Sequence, residues 1–404
     1  MIWAAGVLAA VRLGAVAPIS SVLRDETGLS LATVAWATSG MTAVSAVLGV
    51  PAGWWILRVG ARRAVCAGLV VIASAGFGGA LLAGVWPGLL TARVVEGFGY
   101  LLVFVGGPIA VTRTTSGHTR SVALALWGTC IPVGLAVASG LGGAVAPDLG
   151  VRGWLAVTAL APLSLAPAVA LLLPRLAPAP PTPNPRPTAV SWQGPLTLAV
   201  AFACVSLIAV AVVVLLPTYL TEQRDVSSAA GGAATAAVSL SSAVGSLLAG
   251  WSLRRGATLA RMVPLAAVMP VAVLLTFSAA VPTAVGTVLA CCALAVNGLL
   301  VSAMFAAVPG VCRRSRDVEV ANGLVAQTGS LGTFLGPPAF GAAVTGVGWP
   351  GMALATLAFT TAGATLLWRS SHTDRTAGLQ QHQHQRRQQD TPRPTPGGVH
   401  EDRR

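Results

Sequence analysis

Residues 52–61 read Ala52-Gly53-Trp54-Trp55-Ile56-Leu57-Arg58-Val59-Gly60-Ala61, and the chain says nearly the same thing again as Ala249-Gly250-Trp251-Ser252-Leu253-Arg254-Arg255-Gly256-Ala257. With one deletion the two stretches align at an offset of about 197. Each closes a long apolar run and opens a short basic loop. The Arg-bearing loops at Arg113 and Arg313 keep nearly the same offset. Such spacing is the mark of a duplicated unit, not of a local motif.

Working outward, the flanking runs are long enough to cross a bilayer, which takes about 20 apolar residues. The first set covers residues 3–23, 32–55, 64–84, 87–111, 121–146 and 153–174; the second covers 194–221, 227–251, 258–281, 283–309, 319–345 and 349–368. The expected fold class is all-α integral membrane, with twelve transmembrane helices. The chain divides into a six-helix bundle over 1–174, a linker over 175–193, a second bundle over 194–370 and a tail over 371–404. The linker contains APAPPTPNPRPTAV, whose prolines cannot sit in a helix and predict an extended chain. The tail, rich in Gln, Pro and Arg, predicts disorder. Composition points the same way: 54% of residues are hydrophobic and 9% charged, against about 25% charged in a soluble domain.

The formal charge is +13 and all 25 basic residues are Arg. Nucleic-acid binding is excluded because these Arg sit in short clusters between apolar runs. Alternate loops differ sharply. Those after spans 2, 4, 6, 8 and 10, with the tail, carry 20 Arg; the others carry only Arg24, Arg152 and Arg224, beside Asp25, Glu26, Asp148, Glu222 and Asp225. By the positive-inside rule both termini are expected in the cytoplasm of a bacterial plasma-membrane protein. Nine of the eleven Trp (3, 54, 55, 86, 154, 192, 251, 349 and 368) fall at span ends, as interface anchors do. The N-terminus has no basic leader segment, so the first span is expected to be retained.

Gly53 to Arg63, GWWILRVGARR, resembles the loop 2–3 motif G-x-L-A-D-R-x-G-R-R of the major facilitator superfamily, with Gly53, Arg58, Gly60, Arg62 and Arg63 matching. Leu57, and Leu253 in the repeat, replace the acid that the family uses to latch its two bundles. Arg93-Val-Val-Glu96-Gly97-Phe98-Gly99 resembles the span 4 motif R-x-x-Q-G-x-G. Gly332, Gly336, Pro337, Pro338 and Gly341 resemble a Gly-Pro packing motif of span 11. In span 1, Arg12, Gly14, Ala15 and Pro18 are similar to the cyanate permease and 2-nitroimidazole transporter branch, with Leu13 in place of a Pro. The resemblance covers the chain to Trp368. It implies two bundles related by pseudo-two-fold symmetry, alternating access, and a cavity lined by spans 1, 4, 7 and 10. Span 5 carries Gly128, Pro132 and Gly134 without the full drug/proton antiporter pattern.

A charge inside a bilayer is costly and needs a reason. Only Arg12, Arg93 and Glu96 carry charge in the interiors of the spans. Arg12 lies nine residues after Trp3, about 14 Å deep at 1.5 Å per residue. It is the candidate receptor for a small anion, with Arg93 beside it. Glu96, the one acid in a span interior, is the candidate proton-coupling group. Trp127, Tyr219, Asn297 and Gln327 complete the candidate substrate contacts, and Gly332, Gly336, Pro337 and Gly341 are assigned to helix packing. Six dispersed Cys and five His outside the spans give no metal-ligand spacing, so no metal and no cofactor are expected. No nucleophile–base grouping predicts an enzyme. The expected protein is a monomeric secondary transporter of a small anion or polar solute, with protons as a candidate coupling ion. The alternative within the same family is proton-driven efflux of drugs or metabolites.

Overall fold

The computed structural model describes residues 1–174, 193–312 and 317–368. The proline-rich linker, the tail and Arg313, Arg314 and Arg316 lie outside the described residues. Among the described residues ten helical runs are long and apolar enough to span a membrane. One of them, Val122–Leu172, is two helices that part at Gly150 (φ 67°). Asp317–Val347 is a further helix of 31 residues. Twelve spans result. They are α1 (Ile2–Thr27), α2 (Leu31–Val59), α3 (Ala61–Leu81), α4 (Trp86–Thr114), α5 (residues 117–149) and α6 (residues 151–172) in one half. The other half holds α7 (Gln193–Arg224), α8 (Ser228–Arg254), α9 (Leu259–Thr276), α10 (Thr283–Val311), α11 (Asp317–Val347) and α12 (Gly351–Trp368).

The helices match the predicted runs to within a few residues and mostly run past them, because polar ends continue a helix beyond its apolar stretch. The duplication read from the sequence is visible at helix ends. Ser30 caps α2 by accepting from Thr33 N, and Ser227 caps α8 by accepting from Ala230 N. At the opposite ends, the chain leaves α2 and α8 through Gly60 (φ 98°) and Gly256 (φ 83°). A side chain at either position would be strained, which is why the quoted repeat keeps its second glycine.

The halves meet along two seams. α2 lies against α11, where Gly341 meets the backbone of Ala32 and the rings of Trp36 and Phe334 cross at 5.3 Å. α5 lies against α8, where a Cβ on Gly143 would stand 2.9 Å from the Cα of Gly232. Gly332 and Gly336 press on the carbonyls of Ala203 and Leu207, so α11 also sits tightly on α7. Pro337 and Pro338 are accommodated inside that continuous helix.

Four of the tryptophans expected at the interfaces are exposed: Trp54, Trp55, Trp251 and Trp368. Trp154 is not an anchor. It is 3% exposed and donates its Nε1–H to Ala15 O at 2.7 Å, inside the first half.

Candidate substrate and coupling site

The site begins with a proline. Pro18 has no N–H to offer Gly14, so the helix that starts at Ile2 stops at Gly14 and resumes through a 3-10 turn, Ala17–Ile19. The carbonyls just before the break need other partners. Arg93 supplies them: its Nη2 donates to Arg12 O at 2.9 Å and to Leu13 O at 3.4 Å. A guanidinium at a helix C-terminus also meets the negative end of the helix dipole. The Nε of Arg93 donates to Ala37 O of α2 at 2.8 Å, and its Nη1 to Glu96 Oε2 at 2.8 Å.

Arg12 completes the arrangement. Nε donates to Glu96 Oε2 at 3.2 Å and Nη2 to Glu96 Oε1 at 2.9 Å, a two-pronged grip. Nη1 donates to Leu155 O at 2.9 Å and to the Thr158 hydroxyl, both on α6. α3 makes room: a Cβ on Gly76 would stand 2.7 Å from Arg12 Nη2. Arg12, Arg93 and Glu96 are 1%, 0% and 0% exposed, so five helices of one half enclose the three charges. Every guanidinium nitrogen has a protein acceptor. In this conformation the two arginines are closed to the space between the halves, contrary to the expectation of cations lining that space. The reason is local: Glu96, α6 and the broken end of α1 already satisfy them.

The other expected contacts do not gather around these charges. The Trp127 ring is wedged against Gly6 of α1 and Gly107 of α4, 5.5 Å from Phe104. Tyr219 belongs to an aromatic cluster with Phe277 and Trp349, at 4.9 Å from each. Asn297 donates to Val205 O at 2.8 Å, tying α10 to α7. Gln327 donates to Ala46 O at 2.9 Å and so binds α11 to α2 across the halves. That bond joins the halves in a chain whose motif loop has Leu57 at the acid position. Of that loop, Arg58 and Arg63 are exposed, Arg62 and Gly53 half-buried, and Gly60 makes the turn. Sequence reasoning missed Thr158 and Gly76 and took Trp154 for an interface anchor; nothing in the primary structure ties these residues to the first helix.

At the ends of the spans whose loops hold few Arg, an ion pair joins the halves: Arg24 Nη1 donates to Glu222 Oε1, with both side chains 29% exposed. Just beneath it lies a small pocket between α1, α5, α7 and α8, with Ser21, Thr218, Thr221 and Ser228 in its wall.

Residues 2–317 match the family model described as the Major Facilitator Superfamily. An uncharacterised MFS-type transporter of Mycobacterium tuberculosis is 33% identical over 135 residues, 33% of this chain and 23% of that protein. The chain thus matches about a quarter of that relative's length. Two crystal structures of a bacterial homologue of the human lysosomal transporter Spinster share the fold. The inward-facing occupied form gives a TM-score of 0.73 at 14% identity, covering 92% of this chain and 96% of that one. The inward-facing unoccupied form gives 0.71 at 15% identity with the same coverage.

Proposed function

The chain belongs to the Major Facilitator Superfamily, and we propose that it is a secondary transporter that moves a small anion or polar solute, of the cyanate or nitroimidazole class, by alternating access of its two halves. The bilayer is a bacterial plasma membrane, both termini are cytoplasmic, and the working unit is a monomer.

The observation that carries this reading is the buried cluster of Arg12, Glu96 and Arg93. A buried ionic triad is often no more stable than a well-packed apolar replacement. Its retention therefore calls for a task beyond holding helices together. Charge bookkeeping suggests the task. With all three groups ionised the cluster carries +1. With Glu96 neutral the two guanidinium groups would carry +2 inside the bundle with no counter-charge. Protonation accompanied by a monoanion on Arg12 restores +1. The proton loosens the two-pronged grip of Arg12 on Glu96, and the anion takes the vacated Nε and Nη2. Proton and anion thus load together or not at all. The planar guanidinium suits a small planar anion or carboxylate.

The test is transport in proteoliposomes. Labelled cyanate should accumulate under an imposed proton gradient with the wild-type protein. Glu96→Gln, which fixes the neutral state, should exchange cyanate across the bilayer at equal concentrations but no longer accumulate it. Gradient-driven accumulation by Glu96→Gln would remove Glu96 from the coupling step. Transport of bulky cations in place of any anion would favour the efflux reading.

A further inference from the structure

We propose that the outer face of α8 and the arginine that follows it bind one anionic phospholipid, with the headgroup phosphodiester on Arg255 and an acyl chain along the helix. The surface lies outside the bundle, and the inference holds whatever solute the protein carries.

Leu240, Val244, Leu247, Leu248 and Trp251 are all exposed. Their spacing puts them on one face of α8, and Arg255 follows Trp251 on the same face. From Leu240 to Trp251 the stripe runs about 16 Å at about 1.5 Å per residue, about half of a hydrocarbon core about 30 Å thick. It is as long as one leaflet is deep, and it ends where headgroups begin. Apolar exposure alone describes any lipid-facing helix, but the end of this one is particular. The Arg255 guanidinium lies over the Trp251 ring, with Cζ 3.9 Å from the centroid, and among the described residues it is the one guanidinium so held. Stacking engages the face of the guanidinium and leaves free its N–H edge, which grips phosphate oxygens two at a time. A side chain already held by a ring also loses less freedom on binding. In the quoted repeat Gly60 aligns with Gly256, so Val59 stands where Arg255 does, and only the second half has an arginine there.

Charge selects the occupant. Arg254, Arg255 and Arg261 are exposed, and no Asp or Glu occurs from residue 226 to residue 316. Among the described residues none of these three guanidinium groups donates to a carbonyl or carboxylate. At the opposite end of the same half Arg224 differs, being spent on Ala279 O, Val281 O and Thr283 Oγ1. Unmatched arginines at a bilayer edge attract anionic headgroups. A zwitterionic headgroup sets its own cation against them and fits worse. A free phosphate has the charge but nothing to lay on the apolar stripe.

The test is photo-cross-linking of the full chain in phosphatidylcholine vesicles. Trace phosphatidylglycerol or trace phosphatidylcholine carries the same diazirine on one acyl chain, and the labelled peptides are mapped by mass spectrometry. Phosphatidylglycerol should label the Leu240–Trp251 stretch more than phosphatidylcholine does. Arg255→Gln should cut the phosphatidylglycerol yield there about fivefold, as expected for one charge at the membrane surface, and leave the phosphatidylcholine yield unchanged. Trp251→Leu keeps the charge, loses the ring, and should give an intermediate yield. Arg63→Gln, the same loss of charge at another exposed arginine, should leave α8 labelling as it is. Equal labelling by the two probes overturns the anionic ligand. Full labelling in Arg255→Gln, or an equal fall in Arg63→Gln, overturns a site at the stacked arginine. Loss of labelling on adding excess glycerol phosphate to both sides of the vesicle shows a soluble phosphate in place of a lipid and overturns the phospholipid. The labelling involves no transport, so its outcome leaves the anion reading untouched.

Discussion

The two halves run the same helices around different chemistry. Glu96-Gly97, Phe104 and Pro108 of α4 recur in α10 as Asn297-Gly298, Phe305 and Pro309, each 201 positions on. The structure bears out the equivalence. Gly97 presses on Met41 O of α2 and Gly298 on Ser242 O of α8, the same kind of contact one helical turn apart in the α2/α8 register of 197 set by Ser30 and Ser227. In that register Leu294, 2% exposed, stands where Arg93 stands. Matching Pro18 with Pro217 puts Ala211, 0% exposed, at the place of Arg12. One half thus builds this crossing from three charges and the other from apolar side chains and one amide. The second half makes the corresponding crossing without charges.

The sharpest break of that comparison is to make one half like the other in steps. Arg12→Leu alone leaves Glu96 and Arg93 without their balance and should cost about 3–5 kcal/mol, the usual penalty for stripping one partner from a buried pair. Replacing all three with Leu should return the melting temperature of the purified protein close to wild type while transport stays abolished. A triple variant as unstable as the single one would mean that the charges are structural after all.

A smaller effect sharpens the symmetry itself. Gly298→Ala would put a Cβ 2.0 Å from Ser242 O, against 2.7 Å from Met41 O for Gly97→Ala. Both should destabilise by about 1–3 kcal/mol, as overpacked cores do, with the α10 variant melting lower. The reverse order would show that the α8–α10 contact yields more easily than the α2–α4 one. Smallest should be Asn297→Leu, which gives up the bond to Val205 O. Bonds of this kind between membrane helices contribute about 1 kcal/mol. A large loss of transport with that small change in melting would make Asn297 a working counterpart of Glu96.

Much of this architecture was legible in the primary structure. The apolar runs, their even number, the segregation of Arg and the repeated Ala-Gly-Trp stretch all follow from rules that act along the chain. The three buried charges stood out because lipid makes each of them costly. What could not be read was who meets whom. Arg12 and Glu96 lie 84 residues apart, and Thr158 lies 146 residues from Arg12. No periodicity links such positions. The Glu96–Asn297 match was hidden for a different reason. The offset of about 197 taken from the loop repeat grows to 201 by α10, so a register fixed at one place slips by a helical turn at the other. Arg24 and Glu222 sit near the helix ends of opposite halves, where only the packed bundle reveals their pairing.

The enclosed cluster has an electrical consequence. A net elementary charge fixed within the hydrocarbon layer feels the transmembrane potential, which does work of about 2.3 kcal/mol per 100 mV for a full crossing. The five helices around Arg12, Glu96 and Arg93 enclose that charge within one half. If it shifts by a tenth of the thickness, the work falls to about 0.2 kcal/mol per 100 mV. If a proton and a monoanion load together as proposed, the enclosed charge is unchanged, and empty and loaded carriers would turn over at nearly the same rate whatever the membrane voltage.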